Sequence, residues 1–453
     1  MDIKKLYTLY QQHPCITTDS RDCPENSIFL ALKGDSFNGN LFAVQALEKG
    51  CAYAIIDEPS VLEQTDLSDD LRTRLILVDD CLQTFKDLAR EHRKQFEIPM
   101  VGITGTNGKT TTKELIRAVL SECYQVMATE GNFNNDVGVP KTLFRLTEAH
   151  DIAVVEMGAS HPGDIKTLVE TAEPTCGLIT NVGRAHLQGF GSFEGVCKTK
   201  GELYDFLLAH DCPLFVNRDN EFLMAMLNAR RSQSGVPSPD VYYYGQSDSS
   251  DILIRGEVVS CAPFLKFRWR EQDYDAGYIG EWLTVQTHLI GAYNLDNMLA
   301  AITVGYVNNI PFERINHALT NYIPTNNRSQ MTETERNHLI VDAYNANPTS
   351  MQAAIDNFRL MQVSPKMAII GMMGELGDVS AEEHQHVVDL LNAARFDRVW
   401  LVGNAFEKTP SDYRTFHDVE EVKQALVREQ PHDYYILIKG SNSNRLFQLP
   451  ALL

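Results

Sequence analysis

Residues 98–120 read IPMVGITGTNGKTTTKELIRAVL and contain the feature that decides the fold. The apolar run Met100 to Thr104 predicts a buried strand, and apolar residues at 115, 116, 119 and 120 share one face of a following helix. Between them lies a short loop rich in glycine, threonine and asparagine. A strand, a glycine-containing loop and a helix in this order predict a phosphate-binding loop.

The loop from Gly105 to Thr111 supplies the groups that a triphosphate needs. Glycines let backbone N–H groups turn toward an anion, the helix N-terminus adds positive potential, and Lys109 neutralises charge near the transferred phosphate. Thr110 can place its hydroxyl on Mg²⁺. The longer G-x-x-x-x-G-K-T pattern is not met, because Ile103 stands at its first glycine. A plain turn with a solvated lysine is the alternative, but the order of elements favours a nucleotide, here ATP.

Strand-like and helical segments alternate along the chain on both sides of a boundary near Pro311. Such alternation predicts parallel sheets covered by helices. The predicted fold class is therefore α/β with three domains: a small α/β N-terminal domain, a central phosphate-loop ATPase domain with a parallel sheet, and a C-terminal Rossmann-like domain. We place these domains at residues 1–95, 96–312 and 313–453.

Three further features of the sequence are candidates for the same site: one acid, one histidine and a pair of lysines. Glu156 ends the strand-like run 152–157, where an open α/β sheet offers a carboxylate to Mg²⁺. His186 follows the run 177–181, and Lys198 and Lys200 lie shortly after it. Taken singly, each has an ordinary alternative: a solvated acid, a structural histidine or a solvated helix face. The phosphate loop earlier in the chain favours the interpretation that these residues belong to the same site as the loop.

Composition narrows the class of protein. Sixty acidic against forty basic residues give a formal net charge of −20, which argues against a general nucleic-acid binder. No segment has the apolar core of a signal peptide or the length of a membrane span, so we expect a cytoplasmic protein. The nine cysteines never form CxxC, which suits a reducing compartment and argues against a zinc site.

Several segments resemble motifs of the Mur ligase family, the cytoplasmic ATP-dependent enzymes that form amide bonds in bacterial cell-wall precursors. They occur in family order: TGTNGKTT (104–111), GNFNNDVGVPKTL (131–143), VVEMGASHPGDI (154–165), ITNVGRAHLQGFGS (179–192) and KTKGELYDFL (198–207). The segment DAYNANPTSM (342–351) is similar to the signature of the member that adds D-alanyl-D-alanine to UDP-N-acetylmuramoyl-tripeptide. The likeness covers nearly the whole chain.

The resemblance implies a ligase that works through an acyl phosphate and yields UDP-MurNAc-pentapeptide, ADP and phosphate. It implies catalytic roles for Lys109, Glu156, His186 and Lys200, with Lys200 carbamylated by CO₂ and Mg²⁺ at two sites held by Thr110, Glu156, His186 and the modified lysine. It implies ATP contacts from Gly105, Thr106, Asn107, Gly108, Lys109, Thr110, Thr111, Asn294, Asn297, Arg328 and Asp342. Among these, Asn294 and Asn297 are similar to the family's adenine-contacting asparagines.

The other two domains would hold the remaining substrates. The resemblance assigns UDP-sugar binding to Ser20, Arg21, Lys33, Gly34, Phe37, Asn38 and Gly39, and dipeptide binding to Tyr344, Asn345 and Asn347. The C-terminal domain would also close over ATP. A monomer with no nucleic-acid partner and no membrane span is expected.

Two motifs differ from the family pattern, and three alternative functions have to be weighed. The family's GDMxELG appears as GMMGELG (371–377), and its KGSR appears as KGSN (439–442). A sibling amino-acid-adding Mur ligase or a folylpolyglutamate synthase-like ligase is the nearest alternative, and DAYNANP argues against both. An NTP-hydrolysing switch belongs to another class, and it gives His186 and Lys200 no role.

Overall fold

The chain is seen here as a computed structural model that describes residues 2–34, 36–64, 67–232, 235, 237–261, 263–273, 276–324 and 330–453. Within these ranges the α-helices are α1 (Ile3–Gln12), α2 (Ala43–Glu48), α3 (Asp69–Arg74), α4 (Cys81–Arg93), α5 (Lys109–Leu120), α6 (Gly138–Leu143), α7 (Asp164–Ala172), α8 (Leu187–Phe190), α9 (Phe193–Ala209), α10 (Glu221–Arg231), α11 (Asn294–Val307), α12 (Phe312–Asn321), α13 (Pro348–Leu360), α14 (Ser380–Ala394), α15 (Asn404–Glu407) and α16 (Val419–Glu429).

The strands are shorter and more numerous. In chain order they are β1 (Ile16–Thr17), β2 (Ile28–Leu30), β3 (Lys33–Gly34), β4 (Phe37–Asn38), β5 (Tyr53–Ile56), β6 (Leu75–Leu77), β7 (Met100–Thr104), β8 (Val126–Ala128), β9 (Ile152–Glu156), β10 (Cys176–Ile179), β11 (Leu214–Asn217), β12 (Val241–Gly245), β13 (Ile252–Cys261), β14 (Phe264–Asp273), β15 (Tyr278–Ile279), β16 (Leu283–Ile290), β17 (Gln330–Glu333), β18 (His338–Asp342), β19 (Lys366–Gly371), β20 (Arg398–Val402), β21 (Arg414–Phe416) and β22 (Tyr435–Lys439).

The chain divides into two compact units. The first contains residues 1–100, 127–157 and 167–174, and the second contains residues 101–126, 158–166 and 175–453. These units mix segments that are distant in sequence, so they do not test the predicted boundaries near residues 95 and 312. Those boundaries stay predictions.

The first unit is built on a small parallel sheet. Its strands run in the order β1-β2-β5-β6, with every pair parallel. β2 is buried along its whole length, and its apolar residues pack with those of α1 and α4 in one core. The same unit contains the short antiparallel pair β3-β4, and β9 lies beside β8. The expected small α/β domain is present in this unit.

The second unit contains two sheets. One runs β7-β10-β11-β12-β13 with all neighbours parallel, and β14 and β16 then continue it as antiparallel strands. We did not predict this antiparallel extension from the sequence. Its cause is visible in β13 and β14, where buried and less buried residues alternate as in a sheet with one covered face.

The other sheet has the order β17-β18-β22-β19-β20-β21, parallel except for β17. Leu339 and Val341 pack into one core, while Ile340 between them packs into another. Residues that alternate along a strand point to opposite faces, so both faces of this sheet are covered. The predicted Rossmann-like α/β architecture is confirmed here.

A buried histidine joins helices α1 and α4 in the first unit. The Tyr7 hydroxyl lies 3.1 Å from His92 Nδ1, and His92 Nε2 lies 3.1 Å from the Leu146 carbonyl oxygen. A carbonyl can only accept, so the neutral ring donates from Nε2 and accepts at Nδ1. Burial holds the pKa of His92 below its usual value, against the opposing effect of the Leu146 hydrogen bond.

We expect His92 to make the stability of the protein depend on pH. The folded protein binds this proton less readily than the unfolded chain, so the contribution of neutral His92 is complete above about pH 6.5 and is lost as the pH falls below that value. The free energy of unfolding of His92→Gln should therefore fall less steeply than that of the wild type between about pH 7 and about pH 5 in denaturant titrations. The exposed His432→Gln should follow the wild type. Equal slopes for wild type and His92→Gln would contradict the prediction.

Candidate active site

The phosphate loop connects β7 to α5, as the sequence predicts. Gly105 has φ +143° and Gly108 has φ +78°, which are conformations that residues with a side chain rarely adopt. Gly108 is the N-cap of α5, and it has no side chain that could cap the helix. Lys109, the first residue of α5, donates to the carbonyl oxygens of Gly105 at 2.7 Å and Thr106 at 3.0 Å. An uncapped helix start beside a lysine fits a polyphosphate.

The turn after β10 fixes the backbone of this loop. Asn181 accepts from the Asn107 N–H at 3.0 Å with its side-chain oxygen, and its Nδ2 donates to the Asn107 carbonyl at 3.0 Å. The Thr180 hydroxyl donates to the same carbonyl at 2.6 Å. Thr180 and Asn181 were not predicted as site residues. The available signal was their position after β10, which pairs with β7.

Two predicted adenine contacts brace the loop from the side of α11. Asn297 Oδ1 accepts from the Thr112 hydroxyl at 3.0 Å, and its Nδ2 donates to Asn294 Oδ1 at 2.8 Å. Asn294 Nδ2 in turn donates to the Ile290 carbonyl at 2.8 Å. Both asparagines are buried. Their side-chain amides thus bond to protein groups, and contact with adenine stays a prediction.

His186 and Lys200 lie on either side of the short helix α8. His186 has φ +50° and directly precedes α8, and its Nδ1 contacts the carboxylate of Glu375. Lys200 is buried on α9, with its Nζ 5.7 Å from the centre of the Phe190 ring. Burial holds the pKa of His186 below its usual value, the charges of Lys109 and Lys200 lower it further, and Glu375 opposes them. A neutral imidazole can bind a metal ion, whereas the charges of the two lysines favour an anion such as a phosphate.

The C-terminal sheet contributes a buried ion pair. Asp342 ends β18 and Lys439 ends the neighbouring β22, and their Oδ2 and Nζ atoms lie 2.6 Å apart. The Lys439 side chain is 1 % exposed, so its charge needs this partner. The Asn345 carbonyl also accepts from Lys439 at 3.4 Å. Asp342 thus lies at the carboxyl edge of the sheet, where open α/β sheets bind ligands.

The segment after β18 meets the phosphate loop directly. Asn347 caps α13 by accepting from the Ser350 N–H at 2.9 Å, and its Nδ2 donates to Asn107 Oδ1 at 2.8 Å. Asn345 Oδ1 accepts from the Ala346 N–H, and Tyr344 is partly exposed. Predicted dipeptide and phosphate residues are therefore neighbours. Arg328 lies outside the described residues.

Glu156 lies at the end of β9 in the first unit and is buried. Its Oε1 accepts from Asn134 Nδ2 at 2.8 Å, and its backbone N–H donates to the Thr129 hydroxyl at 3.0 Å. Asn134 belongs to the segment GNFNNDVG, to which we had assigned no individual role. The buried carboxylate of Glu156 and the nearby hydroxyl of Thr129 give this strand end oxygen atoms of the kind that Mg²⁺ binds. No cluster of three or more His, Cys, Asp or Glu ligands occurs in the part of the chain that the structure describes.

The predicted UDP-sugar residues all lie in the first unit. Lys33 pairs with Asp57 at 2.9 Å and Glu58 at 3.1 Å, and Asn38 donates to Glu58 at 3.0 Å. Phe37 is exposed at 44 % and stacks on another ring, Phe42. The other members are Gly34 in β3, Gly39 with no room for a Cβ against the Leu32 carbonyl, buried Ser20, and Arg21 paired with Asp19 at 2.7 Å.

A parallel strand, a helix that starts after a glycine without a side-chain cap, and a lysine at its first position define a nucleotide-binding enzyme of the phosphate-loop class. Family models match along most of the chain: "Mur ligase family, catalytic domain" over residues 14–93, "Mur ligase middle domain" over 103–305, and "Mur ligase, glutamate ligase domain" over 327–442. The chain belongs to the Mur ligase family.

Individual relatives are similar to this chain over nearly its full length. The UDP-N-acetylmuramoyl-tripeptide–D-alanyl-D-alanine ligase of a Synechocystis species is 33 % identical over 94 % of this chain and 89 % of its own. The crystal structure of MurF from Acinetobacter baumannii has a TM-score of 0.84 at 28 % identity, and covers 98 % of this chain and 97 % of its own. The MurF ligase of Thermotoga maritima in complex with ADP has a TM-score of 0.81 at 25 % identity, with 97 % of both chains covered. Among the described residues, no helix is long and apolar enough to cross a membrane.

The substitution Gly108→Ala should abolish tight nucleotide binding. A Cβ at this position would lie 2.7 Å from Asn297 Oδ1, and the φ angle of +78° would strain it as well. We expect the affinity for ADP in calorimetry to fall by at least about tenfold, because the helix start shifts. Gly277→Ala is the matched control, since φ is +69° there and no described atom lies within 4 Å of the new Cβ. Backbone strain should cost each variant about 1 kcal/mol of stability, and only Gly108→Ala adds a clash, so equal ADP affinity in the two would refute the steric argument.

Proposed function

We propose that this chain is the ATP-dependent ligase that joins D-alanyl-D-alanine to UDP-N-acetylmuramoyl-tripeptide. The observation that carries the proposal is full-length similarity to enzymes named for this reaction, together with an intact phosphate loop. The products are UDP-MurNAc-pentapeptide, ADP and phosphate. This is a step in peptidoglycan precursor synthesis.

The reaction has two chemical steps. An oxygen of the tripeptide carboxylate attacks the γ-phosphorus of ATP, the bond to the β-phosphate oxygen breaks, and ADP leaves with an acyl phosphate remaining. The amine of the dipeptide then attacks the acyl carbon, phosphate leaves with the bonding electrons, and the amine loses a proton. Lys109 and the N-terminus of α5 stabilise negative charge, and the asparagines around the loop fix its geometry.

Mg²⁺ supplies charge neutralisation at the phosphates when bound. Thr110, in the first turn of α5, offers a hydroxyl for one metal ion, and Glu156 offers a buried carboxylate. His186 offers an imidazole that burial keeps neutral, which is the form that binds metals. We assign these three residues to the two metal sites.

Lys200 is the fourth assigned residue of the metal sites. Its neutral amine would add to CO₂ and release a proton, so that a carbamate anion replaces an ammonium. A buried ammonium near His186 opposes metal binding, whereas a carbamate supports it. The modification would also remove one buried positive charge.

The remaining assignments are proposals as well. The UDP-sugar would bind Ser20, Arg21, Lys33, Gly34, Phe37, Asn38 and Gly39. Asp342 would hold the ATP ribose, with Arg328 near the phosphates. Tyr344, Asn345 and Asn347 would shape the dipeptide pocket. We assign residues 1–95, 96–312 and 313–453 to the sugar-nucleotide, ATP and closing domains, and expect a monomer that works in the cytoplasm.

A panel of acceptors tests the proposal. We expect phosphate release from ATP only when UDP-MurNAc-tripeptide and D-alanyl-D-alanine are both present, at least about tenfold faster than with either one omitted. Single amino acids in place of the dipeptide separate a sibling ligase from the proposed one. Rapid turnover with ATP alone would instead indicate a nucleotide-hydrolysing switch.

Lys200→Ala should lower kcat by about 100-fold, because a metal-supporting anion is lost. Added formate or acetate should restore part of the activity, since a free carboxylate can occupy the space of the carbamate. Lys198→Ala is the control, because Lys198 is exposed on the same helix. Bicarbonate-free buffer should lower the activity of the wild type and leave Lys200→Ala unchanged. Normal activity of Lys200→Ala would reject the carbamate.

A further inference from the structure

We infer that Arg184 and Glu383 form a positioning pair for the proposed reaction, linking the phosphate loop to the C-terminal sheet. Glu383 lies in the first turn of α14, and only 5 % of its side chain is exposed. Its Oε1 accepts from Arg184 Nη1 at 2.8 Å. The two residues are 199 positions apart in the sequence. The inference rests on the proposed function.

Arg184 belongs to the turn that holds the phosphate loop. The preceding residue, Gly183, donates its N–H to the Thr106 hydroxyl at 3.0 Å. The Arg184 N–H lies 3.3 Å from the Thr349 hydroxyl at the start of α13. A Cβ on Gly183 would lie 2.8 Å from that same hydroxyl oxygen, so the two segments are in close contact. The position of Arg184 is thus coupled to Thr106 on one side and to α13 on the other.

The neighbouring residue on α14 holds a second loop. His384 accepts from the Met373 N–H at 3.0 Å through Nε2, and its Nδ1 lies 2.6 Å from the Ser380 carbonyl oxygen. The loop that contains Met373 also contains Glu375, whose carbonyl accepts from the Gln188 N–H at 3.3 Å. One turn of α14 therefore fixes both the turn at Arg184 and the loop at Glu375.

The burial of Glu383 distinguishes this pair from an ordinary surface ion pair. Exposed pairs contribute little, because solvent screens them and both side chains lose freedom. The Arg184 side chain is 59 % exposed, but a buried carboxylate without its cation is unfavourable, so Glu383 favours the position of Arg184 in which the two pair. Asn181 and Thr180 hold the phosphate loop independently of Arg184. Loss of the pair should therefore disturb the chemical steps more than the binding of nucleotide.

A double-mutant cycle tests the inference. Arg184→Met and Glu383→Gln should each lower kcat by about tenfold and leave KM for ATP within about twofold. The double variant should lose about tenfold as well, because both single changes remove the same interaction. Glu382→Gln is the matched control, since Glu382 is the adjacent, exposed acid in the same turn of α14. It should retain the activity of the wild type.

Two kinetic outcomes would overturn the inference: wild-type kcat in either single variant, or losses that multiply to about 100-fold in the double variant. Hydrogen exchange gives a reading that needs no substrate. Peptides that cover residues 181–190 should exchange faster in both single variants and equally fast in the double variant, and unchanged exchange would reject the pair. An inactive wild type with this exchange pattern would count against the proposed function and leave the positioning pair supported.

Discussion

The backbone of residues 105–108 is the constraint on which the rest of the second unit depends. The chain has to leave a buried parallel strand and start a helix at once, without a side chain over the first helical N–H groups. Glycine at 105 and 108 makes this possible, since both φ angles are positive. A Cβ at Gly105 would come within 2.0 Å of the Thr180 hydroxyl. The loop is thus shaped by its neighbours as much as by its own sequence.

Those neighbours come from distant parts of the chain, and most of them are uncharged amides. Asn181 bonds to both backbone groups of Asn107, Asn297 packs beside Gly108, and Asn347 bonds to the Asn107 side chain. An amide can donate and accept together, so it can fix a loop without adding charge beside phosphates. Preorganised neutral dipoles of this kind leave the electrostatic role to Lys109 and the helix N-terminus.

Part of the fold could be predicted because several of its strands are fully buried, largely apolar runs. β7 and β9 are buried along their whole length, and their bounds agree with the predicted runs 100–104 and 152–157 to within one residue. The antiparallel extension β13–β14 was missed, although its alternating burial leaves a visible pattern in ILIRGE and FLKFRWRE. The alternation of apolar and polar residues along these two segments was the signal that would have predicted them.

The sequence by itself determined which residue types could do the chemistry. Glycine, lysine and threonine in TGTNGKTT, and the order of the motifs around them, indicate the family and its nucleotide because backbone freedom and charge at fixed spacing are local properties. Only the tertiary structure decided the partners: Asn347 meets Asn107, Asp342 pairs with Lys439, and Glu383 holds Arg184. These contacts depend on how separate sheets and helices pack, and packing joins residues whose distance along the chain carries no signal.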